Sequence, residues 1–257
     1  MNIVVTVKQT FDTEAKIALD GKGNIDATGV NLVINPYDEF AIEEALKLKE
    51  KFGGDVTVVS VGGDKTETSV RTALAMGCDK AVRIDDPALA GADEWAVAKT
   101  IAKAVSGLPH DIVLAGRIAV DDGSSQVAVR TADALGVPSV SSILKLEIEG
   151  DAATVTREID GGTEQIEVKL PAVFTAQKGL NEPRLPSMKG IMGAKKKEIA
   201  VKGLSDLGLD AADVSPRMGA PKYSLPSPRK GGKVIPGEAA DAARELARLL
   251  REEAKVI

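Results

Sequence analysis

Two short stretches of this chain carry the residue types from which a site for an anionic ligand can be built. The first is LAGRIAVDDGSSQVAVR, residues 114–130. An apolar run ends at Ala115, Gly116 turns the chain, and a helical pattern is expected from Ser124 to Leu135. Backbone N–H groups of Gly123, Ser124, Ser125 and Gln126 would then point out of a helix start, where the helix dipole favours a phosphate. Ser124 and Ser125 add hydroxyl donors, whereas Asp121 and Asp122 oppose an anion placed immediately beside them. The run is neither GxxxxGK nor GxGxxG, and any capped helix starts in this way. The second stretch is Asn35-Pro36-Tyr37-Asp38, at the carboxyl end of an expected strand over residues 31–34. The plainer alternative there is that Asn35 caps a helix and Asp38 is solvated.

Other chemistry is poorly supplied. With one histidine and one cysteine there is no His-based triad, no Cys–His dyad and no Cys/His zinc cluster, so no catalytic group and no metal are expected. His110 follows Pro109 and reads as structural. VGGDKTETS, residues 61–69, lacks the SGGxDS arrangement of a pyrophosphatase-type synthetase loop, and no GxSxG occurs. A net charge of −5 and a pI near 5.2 give a nucleic-acid-binding role no electrostatic support. Cys78 cannot form an internal disulfide, reads as a buried small apolar group, and fits a reducing, cytoplasmic compartment. The first residues run straight into a strand without a signal-like pattern. No apolar run approaches the roughly 18 residues of a membrane span.

The elements that must position these residues follow from periodicity. Strands are expected over residues 2–7, 55–61, 80–84 and 111–115, each an unbroken apolar run. Helices are expected over residues 36–52, 64–76 and 94–105, besides 124–135. Asn35 and Pro36 suit the cap and first position of one. Asp64 and Glu67 have capping-box spacing in another, and Gly77 stops it. Alternation of this kind predicts an α/β fold with a doubly wound, mostly parallel sheet. Residues 140–147, 153–158, 164–169 and 172–175 then read as successive strands, an antiparallel extension of the same sheet. Thr6, Val61 and Gly116 fall near strand ends and are expected to converge with Asn35 on one crevice. Residues 210–237, rich in Pro, Gly and Ser, read as an extended arm. The arm ends in a helix over 238–254 whose Ala239, Ala242, Ala243, Leu246, Leu249 and Leu250 form one stripe. That helix either folds back on its own body or reaches another subunit. The division expected is residues 1–203 as the nucleotide-binding domain and 204–257 as the arm.

A third stretch, NEPRLPSMKGIMGAKKK (residues 181–197), sets Met188 and Met192 among Pro183, Pro186, Gly190 and Gly193. These residues interrupt regular hydrogen bonding. The stretch reads either as a surface loop with a basic end or as a segment presenting apolar side chains to a partner.

This stretch resembles the recognition loop of the electron transfer flavoprotein beta subunits. VVTVKQTFDT (4–13), NPYDEFAIEEALKLKE (35–50), RTALAMGCDKAVRI (71–84) and REIDGG (157–162) agree with the same family in order and spacing. The resemblance weakens only after about Gly203. It implies one half of a heterodimer that takes electrons from acyl-CoA dehydrogenases or other flavoenzymes in fatty acid β-oxidation. A membrane quinone oxidoreductase would then carry them towards the respiratory chain, without membrane insertion of this chain. The redox FAD would lie mainly on the alpha subunit, close to residues 11–13 and to Arg157 and Glu158 of this one. The resemblance further implies structurally bound AMP, contacted by Thr6, Asn35, Pro36, Tyr37, Asp38, Val61, Gly116, Arg117, Ile118, Ala119, Val120, Asp121, Asp122, Gly123, Ser124, Ser125, Gln126 and Val127. Electron-bifurcating relatives hold a second FAD there on a DGDTAQV-like loop; SSQV partly matches it, but DDG is not DGD. Partner recognition would rest on Asn181, Glu182, Pro183, Arg184, Leu185, Pro186, Ser187, Met188, Lys189, Gly190, Ile191 and Met192, with Met188 where the family places an anchoring leucine. A stand-alone adenine-nucleotide sensor is the alternative of a different class.

Overall fold

Apolar runs alternate with helical patterns in the sequence, and the computed structural model, which describes residues 1–219, 222–229 and 231–257, turns them into a layered α/β arrangement. The chain begins with β1 (Asn2–Thr6), β2 (Gln9–Phe11), β3 (Ala18–Leu19), β4 (Ile25–Asp26), β5 (Leu32–Ile34) and α1 (Pro36–Phe52). It continues through β6 (Asp55–Val61), α2 (Glu67–Met76), β7 (Lys80–Ile84), α3 (Glu94–Ser106), β8 (Ile112–Gly116) and α4 (Val127–Leu135). Then come β9 (Ser139–Glu149), β10 (Ala152–Ile159), β11 (Gly162–Lys169), β12 (Ala172–Ala176), α5 (Met188–Ala194), β13 (Ile199–Lys202) and α6 (Ala239–Leu249).

Nine strands form one sheet in the order β11-β10-β9-β12-β8-β1-β6-β7-β13. Every pairing from β9 across to β13 is parallel, and only β9-β10 and β10-β11 are antiparallel. Alternate residues of β1 serve opposite layers. Ile3 and Val5 pack with Ile42 of α1 and Leu74 of α2, while Val4 packs with Ile101 of α3 and Ala132 of α4. A sheet buried on both faces must be apolar on both, and that is why its parallel strands read as continuous runs. Phe174 of β12 is the largest wholly buried side chain. Its truncation to alanine would cost about 3–5 kcal/mol.

Several expectations change. Residues 172–175 were expected in the antiparallel extension, but β12 lies between β8 and β9 and runs parallel to both. Its five residues are all buried, the mark of a central parallel strand, whereas β10 and β11 have exposed positions along their length. Asp64 and Glu67 form no capping box: residues 64–66 make a 3-10 turn, α2 starts at Glu67, and the Asp64 carboxylate pairs with Arg83 at 3.1 Å. The arm expected over 210–237 is not extended from its start. Val214 is buried with Leu204, Leu209 and Ala96, and Arg217 lies 3.6 Å from the Trp95 ring centroid. β13 at the sheet edge had no expectation at all.

Residues divide into two compact units, 1–17 with 26–221 and 18–25 with 222–257. The first holds the nine-stranded sheet. The second holds α6, prolonged by a π-helical turn over Leu250–Ala254, and none of the residues of α6 is buried. No described helix is long and apolar enough to cross a membrane.

Candidate functional site

Strand order locates the crevice. From β1 the chain moves outward to β6 and β7 on one side, then crosses back to β8 on the other side of β1. Connections diverge above the carboxyl ends of β1 and β8, the place where open α/β sheets leave room for a ligand.

Asp38 ties that place together. Its buried carboxylate accepts from the Lys8 N–H at 2.7 Å just past β1, and from the Gly116 N–H at 3.0 Å at the end of β8. Asn35 Nδ2 donates to it as well, at 3.0 Å. Gly116 permits the approach, since a Cβ there would stand 2.2 Å from Asp38 Oδ1 and 2.8 Å from Tyr37. Burial pushes the Asp38 carboxyl up to about 7 against the pull of these three donors and of the Lys8 charge. Asn35 holds the N-cap position of α1 and Pro36 the first turn, as expected, but its side chain makes no capping bond: its amide donates to Ile118 O at 2.9 Å and accepts from the Val120 N–H at 3.2 Å. Asn35 therefore does more than cap a helix, and the alternative of a solvated Asp38 is set aside.

The loop after β8 is held from the other side by Lys8, whose ammonium bonds Asp121 at 2.8 Å and Asp122 at 2.6 Å. Burial lowers the Lys8 pKa, but the two carboxylates outweigh it and hold the amine above its ordinary value. Burial likewise raises Asp122, and Lys8 together with the Ser124 N–H brings it below the usual carboxylate range. The Lys8 ammonium offsets part of the negative charge of Asp121 and Asp122, which weakens the objection that they repel an anion.

The expected helix start at Ser124 is corrected to Val127. Gly123 N–H goes to Ala119 O at 2.9 Å, Ser124 N–H goes to Asp122 Oδ1 at 2.8 Å, and Ser125 adopts φ 53°. These bonds consume two of the four donors that were to greet a phosphate, those of Gly123 and Ser124. What replaces them is the first turn of α4, which no side chain caps, so that its leading N–H groups remain for an outside acceptor. Arg117 adds a second unused donor: its Nε is buried without a hydrogen-bond partner, and its guanidinium lies 5.8 Å from the Tyr37 ring centroid. A buried donor without an acceptor costs about 1–3 kcal/mol, which a ligand's acceptor would recover. An uncapped helix start and an orphaned guanidinium donor fit a phosphorylated ligand. Thr6 and Val61 end β1 and β6 on the same edge of the sheet, without side-chain bonds into this network.

The third stretch is built differently. Asn181 Nδ2 donates to Phe40 O at 3.0 Å and to Glu44 at 2.9 Å, and Arg184 forks onto Glu43 at 2.8 and 2.9 Å and reaches Glu50 at 2.5 Å, all on α1. The expectation of an irregular loop is corrected over Met188–Ala194, which is α5, with the Ser187 hydroxyl capping the Gly190 N–H at 3.0 Å. Gly190 sits in a helix because α5 lies against α2: a Cβ there would be 2.2 Å from Ala75 O. Between these supports Leu185 is 89% exposed, Met188 75% and Met192 65%. Glu182, Pro183, Pro186, Lys189 and Ile191 complete the stretch at intermediate or full exposure.

A hollow of about 720 Å³ lies beside α5, lined by Thr68, Arg71, Pro186 and Lys195 among others, and one of about 500 Å³ lies between α3 and α4. Neither touches the crevice. Arg157 pairs with Glu164 at 2.7 Å across β10 and β11, at the strand position expected of it. Cys78 is free and buried, its thiol pushed up to about 12 by burial. Sequence reading missed Lys8 and the supports under residues 181–197. Lys8 had one signal, its place directly after the central strand.

The family model described as "Electron transfer flavoprotein domain" matches residues 22–207. "Electron transfer flavoprotein subunit beta" of Bacillus subtilis (strain 168) is 47% identical over 258 residues, covering 100% of both chains. That of Syntrophomonas wolfei is also 47% identical, covering 100% of this chain and 98% of the relative. That of Bradyrhizobium diazoefficiens is 38% identical over the full length of both. With the match extending through crevice, exposed segment and terminal helix alike, the chain belongs to the electron transfer flavoprotein family, in its beta-subunit branch.

Proposed function

We propose that the chain is the nucleotide-holding and partner-docking half of a heterodimeric electron carrier, not an enzyme in its own right. The observation that carries this reading is the pairing of two dissimilar sites on one sheet: a closed polar crevice at the switch point and an exposed apolar segment fixed to α1 and α2. The absence of an acid–base constellation suits a carrier, because the cofactor supplies the redox chemistry and the protein its position.

FAD, bound mainly by an alpha subunit, supplies the reversible storage of electrons. This chain's residues bind, orient and exclude. Asp38 and Asn35 hold the ends of β1 and β8 in register with the loop over 117–122. The first turn of α4 and Arg117 receive the phosphate of AMP, which serves as a structural ligand. Arg157 and Glu158 lie on the strand that faces the flavin. Met188, Leu185 and Met192 enter an apolar pocket of acyl-CoA dehydrogenases or other flavoenzymes, with Met188 as anchor; methionine's flexibility suits a surface that serves more than one partner. Residues 204–257, with α6 and its unburied stripe, pack on the alpha subunit. A membrane quinone oxidoreductase receives the electrons, and a cytoplasmic setting agrees with the free buried thiol of Cys78.

The test is the content of the purified heterodimer, read by acid extraction and chromatography. One AMP and one FAD per heterodimer are expected. Two FAD and no AMP would move the protein to the bifurcating reading, and a colourless monomer binding an adenine nucleotide would leave only a sensor.

A further inference from the structure

α5 is a helix that should not stand by itself. It has seven residues, two of them glycine, and isolated helices below about 12 residues are marginal even without glycine. Each glycine costs a further ~1 kcal/mol against alanine. Ser187 caps its beginning, and at its end the N–H groups of Lys195, Lys196 and Lys197 bond the carbonyls of Ile191, Gly193 and Ala194. The side-chain tie that fixes this end in place comes from α2. Arg71 Nη1 donates to Ala194 O at 2.8 Å and also to the Lys197 carbonyl, while its Nε and Nη2 grip Glu67 at 3.1 and 2.9 Å. One guanidinium thus joins the first turn of α2 to the last turn of α5 and to the chain leaving it. A cation on the terminal carbonyls of a helix also complements its dipole.

We propose that Arg71 is the positioning residue of the docking segment. It locks the carboxyl end of α5 onto α2 so that Met188 and Met192 are presented in one arrangement before any partner arrives. The proposal rests on the reading of residues 181–197 as the docking surface. Arg71 itself touches no partner; it acts by sparing the partner the cost of ordering α5.

The experiment uses the full heterodimer with a flavin-dependent acyl-CoA dehydrogenase as electron donor, and compares Arg71→Ala, Arg71→Lys, Glu67→Gln and Met188→Ala. Arg71→Ala should raise the KM for the dehydrogenase about tenfold, the equivalent of 1.4 kcal/mol, while kcat and bound adenine nucleotide change less than about twofold. Arg71→Lys should recover part of this, since a lysine keeps the charge but not the fork. Glu67→Gln, which only loosens the guanidinium, should give a smaller rise of the same kind and guards against an Arg71→Ala that fails to fold. Amides of residues 191–197 should exchange faster in Arg71→Ala. If Met188→Ala raises KM and Arg71→Ala with normal exchange does not, the clamp is refuted and the docking reading survives. If neither variant moves KM, the docking reading itself falls and the clamp with it.

Discussion

The crevice and the docking segment sit on the same sheet and are stabilised in opposite ways. In the crevice, polar groups are bonded to one another: buried Asp38 to two backbone N–H groups, buried Asn35 to the loop after β8, and the partly exposed Lys8 to two aspartates. In the docking segment, apolar groups are exposed and only the supports beneath them are matched, through Arg184 to Glu43 and Arg71 to Ala194. The first arrangement fixes the framework and leaves its unused donors, Arg117 Nε and the first turn of α4, for a small ligand. The second leaves an apolar surface that only a second protein would cover. The difference teaches that two regions of one scaffold can be stabilised independently, because none of these bonds is shared between them.

The comparison predicts that damage to one region leaves the other intact. Asp38→Ala strips the acceptor from the half-buried Lys8 and Gly116 amides, and unmatched groups of that kind cost about 1–3 kcal/mol each. We expect a loss near 3 kcal/mol in denaturant titration, together with loss of bound nucleotide.

Asp38 also sets a pH signature. Its folded pKa of about 7 lies above the unfolded 3.8. Its contribution to stability is therefore complete below about pH 4 and fades as the pH rises through 7. At 1.36 kcal/mol per pKa unit, the stability gap between the parent and a non-titrating Asp38→Asn variant should narrow by roughly 4 kcal/mol from pH 4 to 8. A gap that stays level would show that the carboxyl is not what titrates.

Arg184→Ala leaves the largely buried Glu43 without its cation. Because Arg184 is itself partly exposed, the expected cost is about 2 kcal/mol, below the roughly 3–5 kcal/mol of a broken buried pair. Heat denaturation should register it, and nucleotide content should not. Met188→Ala should weaken dehydrogenase docking by about 2 kcal/mol, near thirtyfold, with stability unchanged; titration of the heterodimer with dehydrogenase reads this directly. Lys8→Ala should be the mildest, less than about 1 kcal/mol, since its ammonium is partly exposed to water. If Lys8→Ala instead proved as costly as Asp38→Ala, the crevice would owe its order to the loop over 121–122 and not to the carboxylate.

Much of this was legible in the sequence, and for physical reasons. Unbroken apolar runs such as residues 55–61 announce strands covered on both faces, and Asn35-Pro36 announces a helix start. Strand order was less accessible. Nothing local distinguishes β12 from the strands before it except that AVFTA lacks polar alternation, and its insertion between β8 and β9 is a long-range choice. The helix over Met188–Ala194 was hidden because Gly190 and Gly193 break local propensity; the contact with Ala75 and the bond from Arg71 override it. The crevice residues were found mainly by resemblance to a family. Roles within the crevice came from distances: a sequence can place Asn35 before a helix but cannot say that its amide faces Ile118.

The central claim is that nucleotide holding and partner docking are separate properties of this chain. Adenine nucleotide per heterodimer, measured side by side in Asp38→Ala and Met188→Ala, tests it most directly. The account predicts loss in the first and one nucleotide retained in the second. Equal content in both, whether retained or lost, would contradict it.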